Sequence, residues 1–497
     1  MVITTYAKGK AIYANASKSK RVGKKVVKEE QISLGRVIDL GKHIFQNRKY
    51  GVYEYDPETG GIRKLEAERK KPLSFRCIDF GDSFFLSEVM KSLHIDEAID
   101  SLEGIDHESM KTLVLFYLEC QAPNTSAEDW YEGNYASVLY PNARMDGQRI
   151  SELLRAIGTE EMKSAFLKAY YSNETFGEGT KVIIDSTGII NNVHCQFTTI
   201  CNHNGKVSTC LRLITVIRED DSKPVYFRMI PDATLDSATL KKTLIELGKY
   251  GIKVSLALLD AGYCTLQNLK RLTAMDIDFI TRLDAKMKAY KELKKKYFGG
   301  LEAKENFIRY GERYFYMKPV ENVMIENQKL FAYVCIDCTS KAYDLIKMGE
   351  RKKAPESGKA YDEMQSDGFF ILISRTKYAR EDILPKYYLR QKIEQSYDLV
   401  KNETNIQPIR NHSEETINGH LLVSFISQIV SQEIQNRFKD ENISQERLLL
   451  ALRNQKAEAY PSEVLPLETK RIATLAYKKM KITCPEIVKI PMKKRCR

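Results

Sequence analysis

The chain has 497 residues, 43% of them hydrophobic and 29% charged, which is an ordinary soluble globular composition and too long for a single core. Its formal net charge of +12 favours an anionic partner, of which nucleic acid is the commonest. There is no run of about 18 apolar residues, which excludes a bilayer-spanning helix: the longest candidate, Leu421 to Val430, is interrupted by Ser424, Ser427 and Gln428.

No membrane association is expected. The first residues, MVITTYAKGKAIYANASKSKR, carry no apolar core of signal-peptide length, so a cytoplasmic protein is expected. The ten cysteines are scattered and are expected to be reduced. Cys335 and Cys338 form a lone Cys-x-x-Cys, short of the ligands a zinc site needs. His194, Cys195, Cys201 and His203 flank a predicted hairpin, where chance proximity is the simpler account.

Residues 1–85 read as a β-rich unit. Val52–Tyr55 and Ile62–Leu65 flank Asp56-Pro57-Glu58-Thr59-Gly60-Gly61, whose residue types make a turn. Basic runs at Lys18 to Lys28 and Arg63 to Lys71 suit either a DNA backbone or a solvated face. Residues 86–175 form a helical unit that could bind DNA or pack beside the core. Apolar residues recur there at helical spacing in Ser87 to Leu93, His107 to Leu118, Ile150 to Ile157 and Glu160 to Tyr171.

From residue 176 to 284 the pattern is α/β. Val182-Ile183-Ile184 is an apolar strand that delivers Asp185. His194 to Cys201 and Lys206 to Ile217 flank Asn204-Gly205, a strong hairpin signal. Pro224 to Ile230 is extended, and Asp236 or Ser237 caps a helix bearing Leu240, Leu244 and Leu247. Val254 to Leu259 is a buried strand ending at Asp260. Strand, hairpin, helix and strand in this order fit a ribonuclease H-like core.

Residues 285–366 interrupt that pattern and are expected to form a partly β insertion domain, separate from the core. They carry a basic amphipathic stretch, Lys286 to Lys296, and predicted strands at Phe307 to Met317 and Leu330 to Ile336. The core resumes over 367–450 with a buried strand, Gly368 to Ser374, a helix starting near Pro385 and another amphipathic helix from Leu421 to Ile429. Residues 451–497 read as a basic tail with little pattern.

The helix from Tyr387 to Lys401 is the informative one. At about 100° per residue, Tyr387, Arg390, Glu394 and Lys401 fall within an arc of roughly 60°. The ordinary reading of such a face is solvated i,i+4 ion pairs. Two, three and six residues separate these four in turn, and that spacing resembles the Tyr-Arg-Glu-Lys signature of DDE insertion-sequence transposases. Asp185-Ser186-Thr187 and Asp260-Ala261-Gly262-Tyr263 resemble the first and second aspartate motifs of that family, and Phe279-Ile280-Thr281-Arg282 the strand after the second. Pro408, Arg410, Gly419 and His420 fall where the family has similar residues. Asp232-Ala233 ahead of Asp236 departs from the family's Gly-Asn. The resemblance runs from about residue 145 to 435.

It implies a transposase that cleaves at terminal inverted repeats and joins the ends to target DNA. Asp185, Asp260 and Glu394 would be the catalytic metal ligands, for Mg²⁺ or Mn²⁺, two ions in all. Tyr387, Arg390 and Lys401 would contact phosphates of the transposon end, and a homodimer would form in the synaptic complex. The chemistry agrees: two ions about 3.5–4 Å apart neutralise the attacking and leaving oxygens, hard cations take carboxylates, and Arg and Lys take phosphates. Asp398 shares the face of Glu394, and only the family spacing chooses between them. Two other readings stand beside this one. A catalytically inactive, transposase-derived DNA-binding protein would keep the same fold. A haloacid-dehalogenase-type phosphatase needs a second acid where Thr187 stands.

Overall fold

The computed structural model describes every residue except 9–10, 23–24, 65–75, 175, 177–178, 191–198, 204–205, 232–233, 235, 343–367, 395–412 and 491–497. The chain divides into two compact units, Met1–Arg76 and Cys77–Arg497. The predicted helical, core, insertion and tail segments all belong to the second. No helix among the described residues is long and apolar enough to cross a membrane.

The first unit is an antiparallel meander of six strands in chain order: β1 (Val2–Lys8), β2 (Ala11–Val22), β3 (Lys25–Asp39), β4 (Ile44–Asn47), β5 (Gly51–Tyr55) and β6 (Ile62–Lys64). The β5–β6 turn forms at Asp56 as its residue types predict: the Asp56 carboxylate accepts the Glu58 N–H at 2.9 Å and the Thr59 hydroxyl at 2.6 Å. A small core of Ala14, Ala16, Leu34, Phe45, Tyr53 and Tyr55 holds the meander together. The basic run from Arg63 lies outside the described residues beyond Lys64.

The second unit opens within β7 (Arg76–Asp79), at Cys77, and continues with a helical layer: α1 (Gly81–Ser92), α2 (Ile95–Asp100), α3 (His107–Glu119), the short α4 (Ala127–Gly133) and α5 (Ala136–Leu139), then α6 (Gly147–Ile157) and α7 (Glu160–Ser172). A mixed ten-stranded sheet follows, in the order β11 (Pro224–Ile230), β10 (Lys206–Arg218), β8 (Thr180–Ile190), β12 (Val254–Leu259), β13 (Asp278–Arg282), β17 (Phe369–Ser374), β16 (Gln328–Asp337), β15 (Arg313–Ile325), β14 (Phe307–Tyr310), with β9 (Thr199–His203) paired to β10. β8, β12 and β13 run parallel and the other pairs antiparallel. The Asn204-Gly205 turn itself lies outside the described residues.

The strands of the expected insertion domain therefore pair onto the core sheet through β16 and β17. The predicted strand from Phe307 is two, broken at Gly311, whose φ of +58° a side chain would strain. The basic stretch is α10 (Lys288–Tyr297), which buries Leu293; α8 (Asp236–Lys249) and α9 (Leu266–Ala274) precede it.

Strand alternation assigns the two faces of the sheet. Val182, Ile184, Ala257, Leu259 and Phe279 face the large core, which includes the helical layer. Ile183, Leu256, Leu258, Ile280 and Leu372 face a second core, closed by Ile383, Leu384, Tyr387 and Tyr388 of α11 (Arg380–Tyr388) and by Ile393.

The expected amphipathic helix is α12 (Glu414–Phe438), 25 residues long and buried on nearly every side. Its serines are accommodated by bonding to carbonyls one turn back, Ser424 to His420 and Ser427 to Val423. It crosses α6 at glycine-limited distance. A Cβ at Gly158 would stand 1.7 Å from the Glu415 carbonyl oxygen, and one at Gly419 1.9 Å from that of Leu154.

The expected patternless tail is folded: α13 (Gln445–Arg453), β18 (Lys456–Ala459), β19 (Glu463–Pro466), α14 (Arg471–Met480) and β20 (Val488–Lys489). Its strands form a sheet with β7 in the order β20-β19-β18-β7. Among the described residues six cysteines, including Cys335 and Cys338, are free. Cys210 is disulfide-bonded, against the expectation that all are reduced.

Candidate active site

Asp185 lies within β8 and Asp260 directly follows β12. These strands are parallel neighbours with Ile184 opposite Leu259, so the two aspartates stand side by side. Alternation puts Asp185 on the face of Ile183, and Asp260, still extended at φ −75° and ψ 165°, on the face of Leu258. That is the face α11 covers. The Thr281 hydroxyl of β13 donates to the Asp260 carbonyl oxygen at 3.2 Å. Tyr263, fully buried, anchors the turn that follows.

The signature segment differs from one continuous helix. α11 begins at Arg380, so Pro385 sits inside it rather than at its start, where the missing proline N–H removes one helical hydrogen bond. The helix stops at Tyr388, turns through Leu389 and Arg390, and resumes at 391–394. Across the break the bonds span three residues: Arg390 N–H to Tyr387 O at 3.1 Å and Ile393 N–H to Arg390 O at 3.0 Å. Buried Ile393 and a bond from Lys392 Nζ to the Glu219 carbonyl at 2.6 Å anchor the segment. Lys401, Asp398, Pro408 and Arg410 lie outside the described residues.

The break places the Arg390 guanidinium among the three carboxylates. Nη1 is 3.3 Å from Asp185 Oδ2 and 3.7 Å from Asp260 Oδ1, and Nη2 is 3.2 Å from Glu394 Oε1. The Asp185 side chain is 14% exposed, against 41% for Asp260 and 53% for Glu394. Burial raises the Asp185 pKa to about 6, against the pull of the Ser186 N–H and Arg390. Tyr387 is 3% exposed and packs behind Arg390 in the second core, with the Arg282 guanidinium 5.6 Å from its ring centroid. Burial pushes its hydroxyl pKa up. Its ring is thus enclosed in the second core rather than open to solvent.

Sequence reasoning assigned Asp236 only a capping role. Its Oδ1 accepts the Ser186 hydroxyl at 2.6 Å and Arg212 Nη1 at 3.0 Å. A Cβ at Gly262 would come within 3.0 Å of its Oδ2. Asp236 thus bonds the residue after Asp185 and lies close against the turn after Asp260. Its position, three residues after Ala233 and four after Asp232 where the family has Gly-Asn, was the available signal.

Among the described residues no three His, Cys, Asp or Glu side chains stand close enough to hold a metal as they are. The donor set nonetheless suits a hard divalent cation: three carboxylates from separate elements gathered round one positive group, two of them open to solvent. Arg390 is the stand-in cation.

A family model described as a transposase DDE domain matches residues 177–429. No curated protein matches the chain. Among solved structures, the cryo-EM structure of a piggyBac transposase synaptic complex with hairpin DNA is similar at 13% identity and a TM-score of 0.40, over 74% of this chain and 77% of that one. The family match spans just over half of the chain and takes in Asp185, Asp260, Arg390 and Glu394, and on that ground the chain belongs to the transposase DDE-domain family.

Proposed function

We propose that the protein is a DNA transposase that cleaves at the terminal inverted repeats of a mobile element and joins the freed ends to target DNA. The observation that carries this reading is the gathering of Asp185, Asp260 and Glu394, from two parallel strands and the segment after α11, around Arg390. The strand order β11-β10-β8-β12-β13, with three antiparallel strands leading into a parallel pair, supports a ribonuclease H-like core.

Asp185, Asp260 and Glu394 would hold two divalent ions, Mg²⁺ or Mn²⁺. Such ions, when bound, neutralise charge on the attacking and leaving oxygens of the phosphodiester. Asp185, fixed by its strand and by the Ser186 N–H at 2.8 Å, supplies the rigid side of the site. Asp260 and Glu394 line the open side, where the strand enters. Arg390 and Lys401 bind phosphates, and Tyr387 packs behind Arg390. In cleavage, water attacks phosphorus and the P–O3′ bond breaks. In joining, the freed 3′-hydroxyl loses its proton and its oxygen attacks a target phosphorus, whose own P–O3′ bond breaks to release a target 3′-hydroxyl. Double-stranded DNA is the partner, and two copies of the chain would meet in the synaptic complex.

Incubation with a duplex carrying the flanking inverted repeats and Mg²⁺ or Mn²⁺ tests this by scoring strand nicks. Nicks dependent on the metal are expected. Binding without nicking would instead identify an inactive, transposase-derived DNA-binding protein.

A further inference from the structure

We infer that Arg390 is the resident counter-cation of the three carboxylates in the DNA-free protein, and that divalent ions load only as it lets go. The inference rests on the active-site reading above. One guanidinium faces three carboxylates, at 3.3, 3.7 and 3.2 Å. It cannot be neutralised by losing a proton, since a guanidinium stays charged in proteins. A divalent ion held by the same three carboxylates would stand against that fixed positive charge, so the guanidinium and the ions compete for the site, and Arg390 must give way.

The geometry suits release. Nη1 is shared between two carboxylates and Nη2 holds the third, so no pair has the two-pronged form that makes an arginine–carboxylate bond strong. Two of the three partners are substantially exposed, where ion pairs are weak. Arg390 itself sits in the turn between α11 and the helical residues 391–394, where no continuous helix locks its backbone. Once displaced, its guanidinium is free for a DNA phosphate. A phosphate that draws Arg390 away makes the carboxylates available to metal, and metal that displaces Arg390 makes it available to phosphate. Metal and DNA should therefore bind cooperatively, each tightening the other by the same factor.

The test is Mn²⁺ binding to the full chain, by titration calorimetry and by the loss of free Mn²⁺ EPR signal, for the wild type, Arg390→Met and Asp185→Asn. Without DNA, Arg390→Met should bind Mn²⁺ about tenfold more tightly than wild type, a coupling of ordinary size. Adding duplex DNA should tighten Mn²⁺ binding in the wild type and have little effect in Arg390→Met. Equal affinity in wild type and Arg390→Met, with Asp185→Asn abolishing the site, overturns the inference and leaves the active-site reading intact. Mn²⁺ uptake unaffected by Asp185→Asn would overturn the active-site reading, and the inference with it. If circular dichroism shows Arg390→Met unfolded, Arg390→Lys serves in its place. Its shorter, unforked ammonium should tighten Mn²⁺ binding about threefold, and no change there overturns the inference.

Discussion

Ile184 and Leu259 are register partners on the parallel strands β8 and β12, and Asp185 and Asp260 each stand one residue beyond that pair. Both carboxylates are thereby set on the face that α11 covers. Because a strand alternates faces with a period of two, position and not merely composition should matter. Asp185→Ser combined with Ser186→Asp keeps the same residues but moves the acid to the opposite face. This double variant should fold yet nick DNA more than about a hundredfold more slowly than wild type, as expected when a metal ligand is lost. Wild-type nicking by the double variant would show that the face does not matter.

A second prediction concerns a buried proton. Glu119 is fully buried, with Oε2 accepting Trp130 Nε1–H and Asn134 Nδ2–H, both at 3.1 Å. The Ser83 hydroxyl stands 2.5 Å from both Glu119 Oε1 and Asn134 Oδ1 but has one proton to give. Asn134 Oδ1 already accepts the Ala136 N–H, which fixes it as an oxygen. The short contact to Glu119 is therefore best made by a protonated carboxyl donating to Ser83. Burial, with the nearby Asp82, raises the Glu119 pKa well above its ordinary value. A raised carboxyl pKa means the folded state holds more protons, so the stability it contributes is full below the unfolded value near 4.5 and falls as pH rises toward the folded pKa. Glu119→Gln, which keeps a donor to Ser83, should flatten the decline in Tm from pH 5 to 8 and match wild type at the acid end. An unchanged slope would place the titrating group elsewhere.

The α6–α12 crossing is limited by two glycines. Gly158→Ala or Gly419→Ala forces a Cβ within 2 Å of a carbonyl oxygen. Each should cost about 3 kcal/mol or more, the range of severe overpacking. Thermal unfolding within a few degrees of wild type would mean that the helices can part without loss.

Much of the fold was legible wherever order is local. Pro224–Ile230 and Val254–Leu259 are strands with the boundaries their apolar runs predict, and the helix bearing Leu240, Leu244 and Leu247 starts at Asp236. Long-range pairing was not. The residues after 451 form strands that pair back toward β7, and the supposed insertion completes a sheet through β16 and β17. Nothing in a local pattern announces either partner, because strand stability depends on the neighbours found in the fold. In the site, the resemblance to the family's motifs pointed to Asp185, Asp260, Arg390 and Glu394, and the fold brings these four side chains together. The helical projection assumed one unbroken helix, so it missed the turn at Leu389 and Arg390 that brings the guanidinium inward. The Ser186–Asp236–Arg212 link joins β8, β10 and α8, a juxtaposition no single stretch of sequence carries.

The most direct test runs DNA binding and strand nicking side by side, in Mg²⁺, for Asp185→Ala, Asp260→Ala, Glu394→Ala, Arg390→Ala and Lys401→Ala. The three carboxylate variants should lose nicking by more than about a hundredfold while binding DNA nearly as wild type, because phosphate contacts persist without the metal ligands. Arg390→Ala and Lys401→Ala should weaken binding and lower its salt dependence by about one phosphate contact each, and lysine at position 390 should restore binding only in part. Carboxylate variants that nick DNA at the wild-type rate in Mg²⁺ would contradict the assignment of the site.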